Sequence, residues 1–148
     1  VKRYIVTNFA VGESAEWLPH LMNLHYVRNF GAAWSSFSGA RWLLIGVTTV
    51  GMAVVAWLLV KIVRHPLGMW SLTAVLGGGV GNLIDRIRLG YVVDMFDCAL
   101  IEFPVFNVAD CFVVCGTLAA LVYYIWIYPK ADAENWERTN GTDSFDGK

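Results

Sequence analysis

The chain has 148 residues, of which 57% are hydrophobic and only 16% are charged, and its formal net charge is −1. A soluble domain is rarely this apolar, so the composition predicts one integral membrane domain. The nearly balanced charge provides no basic surface, which excludes nucleic acid as an expected partner.

Three charge-free runs are long enough to cross about 30 Å of hydrocarbon as helices. They are Trp42–Val60, Pro66–Ile84 and Cys111–Tyr128. The basic segment Lys61–His65 joins the first two runs, and Lys130 follows the third. The positive-inside rule therefore places these ends in the cytoplasm, and we expect residues 11–39 and 88–106 to lie outside.

Val1–Ala10 is a shorter apolar segment with helical character, and ten residues of helix span only about 15 Å. We interpret it as the outer part of a first membrane helix whose inner part precedes Val1, which predicts four transmembrane helices. A cleaved signal peptide is the competing interpretation, but no small-residue cleavage site follows Lys2 and Arg3. The predicted organisation is a transmembrane domain over residues 1–130 and a disordered cytoplasmic tail over residues 131–148.

Two segments between the spans have the pattern of strands. Residues 24–35 alternate large and polar side chains around a glycine, which indicates strands with a bend. Residues 91–96 are β-branched and aromatic. The sequence therefore predicts a mainly α membrane protein with a small extracytoplasmic β-sheet on the membrane surface.

A polar stripe runs along the outer part of the Pro66–Ile84 span and beyond it. Gly78, Asn82, Asp85 and Arg86 recur at helical spacing and must face protein or water. The glycine allows close approach of a substrate or a backbone, and close helix packing alone is the alternative interpretation. We expect Asp85 and Arg86 to brace the loop that carries Asp94 through hydrogen bonds and ion pairing.

Asp94 and Asp110 flank the outer ends of consecutive spans, where carboxylates are rare and usually functional. If they share one site, repulsion and desolvation keep one carboxyl protonated while the other activates water. Such an aspartyl dyad can hydrolyse a peptide bond without a metal or a covalent nucleophile. The alternative is a pair of structural ion pairs with Arg86 or Arg88. We expect Asp97 and Glu102 in the same loop to be solvated.

No cofactor or metal is expected, because the His and Cys residues lack ligand spacing. Cys111 and Cys115 lie one helical turn apart and are predicted to be buried packing residues. A small proton-coupled transporter is the main alternative function, since intramembrane acids also mark proton paths. A purely structural assembly factor is the other alternative. Both account poorly for two carboxylates at one membrane face.

Four blocks carry a resemblance to a known family: residues 29–34, 78–86, 90–94 and 106–110. In order and content they are similar to the lipoprotein signal peptidases (signal peptidase II) of bacteria. The resemblance implies a four-helix membrane aspartyl endopeptidase that cuts diacylglyceryl-modified prolipoproteins on the amino side of the lipidated cysteine. It also implies a multi-pass protein of the bacterial cytoplasmic membrane, in contact with membrane lipid, whose active site faces the extracytoplasmic side.

The same resemblance implies roles for individual residues. Asp94 and Asp110 match the catalytic pair of the family. Residues that match positions lining or supporting the site are Asn29, Gly78, Asn82, Asp85, Arg86, Asn107 and Ala109. Lys2 looks like the end of the family's Asp-Gln-x-x-Lys motif in the first helix.

Overall fold

A computed structural model describes residues 1–31 and 39–128 of the chain. The elements in chain order are α1 (Lys2–Asn8), β1 (Ser14–Leu18), β2 (Met22–Asn29), α2 (Arg41–Lys61), α3 (Pro66–Arg88), β3 (Val92–Cys98) and α4 (Val108–Val122). A π-helical segment, Tyr123–Ile127, continues α4. The predicted mainly α class with a small sheet is confirmed. Residues 32–38 and 129–148 lie outside the described residues. The predictions for the end of the 24–35 strand segment and for the tail fall there.

The helices α2, α3 and α4 with its continuation are each long and apolar enough to cross a membrane. The three predicted helices are therefore confirmed as candidate membrane spans, with different ends. Helix α3 continues past Ile84 to Arg88, because Arg86 and Arg88 in its last turn favour the negative end of the helix dipole. Helix α4 begins at Val108, before Cys111, because Asn107 caps its N-terminus. A count of uncharged residues misses both extensions.

Helices α3 and α4 pack with their backbones in contact at two glycines. A Cβ atom at Gly78 would overlap the carbonyl oxygen of Ala109 and lie 2.8 Å from Cγ2 of Val113. A Cβ atom at Gly116 would lie 2.8 Å from the carbonyl oxygen of Ser71. Small residues at these crossings bring the first turn of α4 against α3. The sequence analysis expected a substrate or a backbone to approach Gly78 closely, and in the structure it is the α4 backbone that does so.

The sheet is antiparallel, with the strand order β1-β2-β3. Strand β3 confirms the strand predicted over residues 91–96. Strand β1 was not predicted, because all five of its side chains are exposed and no apolar alternation marks it. Helix α1 covers the sheet, where Ile5 packs with Tyr26, Val93 and Met95. This packing brings the start of α1 to the junction of β3 with α3.

Candidate active site

Asp94 and Asp110 line one cavity of about 790 Å³ between α2, α3 and α4. Asp94 lies in the middle of β3 and is only 2% exposed. Asp110 lies in the first turn of α4. The start of α4, which carries Asp110, packs against α3 at Gly78, whereas Asp94 reaches the cavity from β3.

Two side-chain amides hold the Asp94 carboxylate. Nδ2 of Asn107 donates to Oδ1 of Asp94 at 2.6 Å, and Nδ2 of Asn29 donates to Oδ2 at 2.9 Å. Burial raises the pKa of Asp94 to about 6, against the lowering effect of these two hydrogen bonds. The negative charge of Asp110 contributes to this increase in the pKa, and the positive charge of Lys2 opposes it. Asp94 can therefore exchange a proton much closer to neutral pH than an exposed aspartate.

The Asp110 carboxylate is held by the cap of its own helix. Its Oδ2 accepts from the backbone N–H of Asn107 at 2.9 Å, while Oδ1 of Asn107 accepts from the backbone N–H groups of Ala109 at 2.7 Å and Asp110 at 3.3 Å. These bonds form a capping box. The contacts that start α4 therefore also fix Asp110.

Asn107 sets the direction of the amide network between the two carboxylates. Because its Oδ1 caps the helix, its Nδ2 is the group that donates to Asp94 and, at 3.1 Å, to Oδ1 of Asn82. The amide of Asn82 then presents its Nδ2 to Oδ1 of Asp110, at 2.6 Å. Each of the four carboxylate oxygens accepts an N–H hydrogen bond from the protein. Both carboxyl groups are thereby fixed in orientation.

Asp85 braces the strand that carries Asp94, as the sequence predicts. Its Oδ2 accepts from the backbone N–H of Val93 at 3.1 Å and forms an ion pair with Nζ of Lys2 at 2.7 Å. Its cation is thus Lys2 and not its neighbour Arg86. Arg86 lines the cavity, and its Nη2 donates to the carbonyl oxygen of Gly31 at 3.1 Å. Arg86 thereby ties the end of α3 to the segment after β2.

In the part of the chain that the structure describes, no cation forms an ion pair with either carboxylate of the pair. Within residues 1–31 and 39–128, the ion pairs are Lys2–Asp85 and a 3.9 Å contact of His25 with Asp97. The alternative of structural ion pairs between the two aspartates and Arg86 or Arg88 is therefore not observed in this part of the chain. The side chain of Asp97 is 34% exposed and Glu102 is exposed, in agreement with the prediction that both are solvated.

The structure brings the predicted site residues to one place and adds groups that the sequence reasoning missed. Lys2 was noted only as the end of a motif, although a lysine in an apolar segment is a signal for a buried partner. Arg41 caps α3 by donating to the carbonyl oxygens of Arg86 at 2.8 Å and Ile87 at 2.7 Å. The N–H of Val93 and the carbonyl of Gly31 also bind site residues. Both are backbone groups, so the residue type at these positions does not predict the contact.

The rest of the cavity is mainly apolar. Its walls include Met52, Val75 and Val113, and it is also lined by Cys111 and Cys115. The prediction that these two cysteines are buried was wrong, since both are exposed. The prediction failed because an apolar side chain on a membrane helix can be covered by lipid, so it does not have to be buried in the protein. In the described part of the chain, no three His, Cys, Asp or Glu side chains are grouped as metal ligands would be.

Known proteins are similar to this chain in sequence. Lipoprotein signal peptidase of Lactococcus lactis subsp. lactis is 43% identical over 109 residues, which are 74% of this chain and 73% of that protein. Lipoprotein signal peptidase of Enterococcus faecalis is 39% identical over 142 residues, 94% of this chain and 86% of that protein.

Two solved structures, both described as bacterial membrane enzymes determined by the in meso method, share the fold. The first, at 2.3 Å resolution, has a TM-score of 0.78 and 26% identity, and covers 99% of this chain and 85% of its own. The second, at 1.9 Å resolution, has a TM-score of 0.78 and 29% identity, with coverages of 85% and 83%. The family model described as Signal peptidase (SPase) II matches residues 1–127. On this sequence match and this shared fold, the chain belongs to the signal peptidase II family.

Proposed function

We propose that this chain cleaves the signal peptide of lipoprotein precursors with Asp94 and Asp110 as its catalytic pair. The observation that carries the proposal is a pair of carboxylates from two elements that line one cavity, each held by amide or backbone N–H groups. Neither forms an ion pair with a cation among the described residues. The proton-coupled transporter is not favoured, because the chain belongs to a peptidase family.

In the proposed reaction, Asp94 starts protonated and Asp110 starts ionised. Asp110 removes a proton from a water molecule as its oxygen attacks the carbonyl carbon of the scissile bond, and Asp94 gives its proton to the carbonyl oxygen. The resulting diol then collapses. Asp110 passes its proton to the leaving nitrogen as the carbon–nitrogen bond breaks, and Asp94 recovers a proton from a diol hydroxyl. The pKa of Asp94, raised to about 6 by burial, suits the group that begins with the proton.

The apolar part of the cavity suits a lipidated substrate. Val75 and Asn82 both line it, and seven residues of helix separate them by about 10 Å along α3. An acyl chain lying in this part would contribute about 0.8 kcal/mol for each buried methylene. We infer that the diacylglyceryl group binds there and presents the bond on the amino side of the lipidated cysteine to the two aspartates.

The most direct test of this function compares a diacylglyceryl-modified precursor with the same precursor without lipid. Burial of only a few methylenes is worth about 100-fold in affinity. We therefore expect the unlipidated precursor to be cleaved at least about 100-fold less efficiently, in the presence or absence of EDTA. Equal cleavage of both precursors would contradict the lipid-binding role, and loss of cleavage in EDTA would contradict a metal-free dyad.

We further infer that the site faces the extracytoplasmic side of a bacterial membrane, with the sheet on the membrane surface. Support comes from the basic Lys61–His65 connection, which lies at the opposite end of α3 from Asp85. We also infer that α1 is the outer end of a fourth membrane helix, because it carries the exposed apolar side chains of Tyr4 and Val6 while Ile5 anchors it to the sheet.

A cysteine-accessibility scan tests this orientation. In a background without native cysteines, we expect cysteines at Lys61 and Arg64 to react with an impermeant maleimide only from the cytoplasmic side of membrane vesicles. Cysteines at Leu100 and Ile101, which are 65% and 63% exposed, should react only from the other side. The reverse labelling pattern would overturn both the orientation and the location of the site.

A further inference from the structure

We propose that Lys2 is a positioning residue for the peptidase reaction, whose ammonium group holds the amide of Asn82 in the orientation that donates to Asp110. The inference rests on the proposed function and adds to it a residue from outside the cavity. Lys2 belongs to α1, which is joined to the site by packing against the sheet and not by sequence proximity.

The contacts of the Lys2 ammonium define this role. Nζ donates to Oδ1 of Asn82 at 2.8 Å and to Oδ2 of Asp85 at 2.7 Å, and its side chain is only 22% exposed. Asn82 is 7% exposed, and its Oδ1 accepts from both Lys2 and Asn107. A rotated Asn82 amide would turn its NH₂ group toward these two donors. Lys2 therefore destabilises the rotated orientation of the Asn82 amide, in which Nδ2 of Asn82 could not donate to Asp110.

Asp85 is the anchor for the lysine. Its Oδ2 binds both Nζ of Lys2 and the N–H of Val93, the residue before Asp94. Lys2 thus connects strand β3, which carries Asp94, to the Asn82 amide, which donates to Asp110. A lysine whose only purpose was to neutralise Asp85 would not need the additional contact with Asn82.

The charge of Lys2 also acts on Asp94. The charged groups near this carboxylate are Lys2 from α1, Asp85 and Arg86 from α3, and Asp110 from α4. The positive charge of Lys2 lowers the pKa of Asp94, whereas burial and Asp110 raise it. Removal of Lys2 therefore leaves Asp94 protonated to a higher pH. In the proposed mechanism, loss of that proton causes the alkaline decrease of activity, so this limb of the pH profile should move to higher pH.

The test compares Lys2→Met with Arg3→Met, which removes a cation from an adjacent, exposed position. Because a hydrogen bond to a charged group is typically worth enough for about a tenfold change in rate, we expect Lys2→Met to lower kcat on the lipidated precursor about tenfold with little change in KM. Its alkaline limb should shift upward. Lys2→Arg, which keeps the charge and the donors, should recover much of kcat, and Arg3→Met should match the wild type.

Lys2→Met leaves the Asp85 carboxylate without its cation, so the variant could lose stability for that reason alone. The double variant Lys2→Met/Asp85→Asn removes both charges and keeps an acceptor for the N–H of Val93. It should show the same loss of kcat while unfolding at a temperature close to that of the wild type. Its pH shift should be smaller than that of Lys2→Met, because removing the negative charge of Asp85 lowers the pKa of Asp94 and opposes the effect of removing Lys2. A folded double variant with wild-type kcat would overturn the inference.

The failure of this inference is distinguishable from failure of the proposed function. A wild-type chain that does not cleave the lipidated precursor contradicts the function itself. A wild type that cleaves, beside an inactive Asp94→Asn variant and a fully active Lys2→Met variant, contradicts only the role of Lys2. Carboxyl titration of ¹³C-labelled aspartates without substrate provides a readout that does not depend on cleavage, and an Asp94 titration unchanged by Lys2→Met would contradict the electrostatic part.

Discussion

Cleavage of a lipidated precursor is expected to fall by about 10²- to 10⁴-fold when either Asp94 or Asp110 is replaced by Asn, which is the usual value of general acid–base catalysis. Asparagine has nearly the same shape as aspartate but cannot accept and return the proton. Both side chains are held by N–H donors, so the substitution also exchanges an acceptor oxygen for an NH₂ group and costs a hydrogen bond at each site.

The double variant Asp94→Asn/Asp110→Asn should be little slower than either single variant, because members of one catalytic unit are not additive. The measurement is kcat for the lipidated precursor, beside the thermal unfolding temperature of each variant in detergent. Rate losses that multiply in the double variant would indicate two independent contributions and would contradict a shared dyad.

Among the glycines that the structure describes, Gly78 is the one whose replacement by alanine is expected to have the largest effect. The new Cβ atom would overlap the backbone carbonyl of Ala109, which cannot rotate away as a side chain could. Overpacking of this kind typically costs about 1–3 kcal/mol of stability. It would also displace the first turn of α4, and a displacement of about 1 Å in a catalytic group can reduce the rate by about 10²-fold.

Gly77→Ala is the matched control for this substitution. Gly77 is the preceding residue of the same helix, and a Cβ atom there would meet no atom of the described chain within 4 Å. Replacing it should leave activity unchanged and raise the unfolding temperature slightly, since glycine within a helix costs about 1 kcal/mol relative to alanine. Equal behaviour of the two variants in unfolding and cleavage assays would contradict the role of the α3–α4 contact.

The membrane helices could be predicted from the sequence because the signals for them are local. Apolar runs marked α2, α3 and α4, and the β-branched segment around Val92 marked β3. The cost of carboxylates beside membrane spans also marked Asp94 and Asp110 as candidates, and the structure places both at one cavity. Helix ends were less accurate, because Asn107 and the basic last turn of α3 extend the helices beyond the uncharged runs.

The contacts that orient the carboxylates could not be predicted, because they join residues that are distant in sequence. Lys2 and Asp85 are 83 positions apart, and Asn82 and Asn107 are 25 apart. The first pair is brought together by the packing of α1 on the sheet, and the second by the close contact of the α4 backbone with Gly78. Strand β1 escaped prediction for a related reason: it has no buried face and is held by its pairing with β2.

In the proposed reaction Asp94 transfers a proton, a role that the other acidic residue of β3 does not have. Asp97 provides the closest comparison, because it lies three residues away in the same strand, is 34% exposed in its side chain, and is outside the amide network. The decisive measurement is the turnover of one lipidated precursor by Asp94→Asn and Asp97→Asn side by side. We predict that Asp97→Asn retains near-wild-type turnover and that the turnover of Asp94→Asn falls by about 10²- to 10⁴-fold. An inactive Asp97→Asn beside an active Asp94→Asn would contradict the assignment of the catalytic pair.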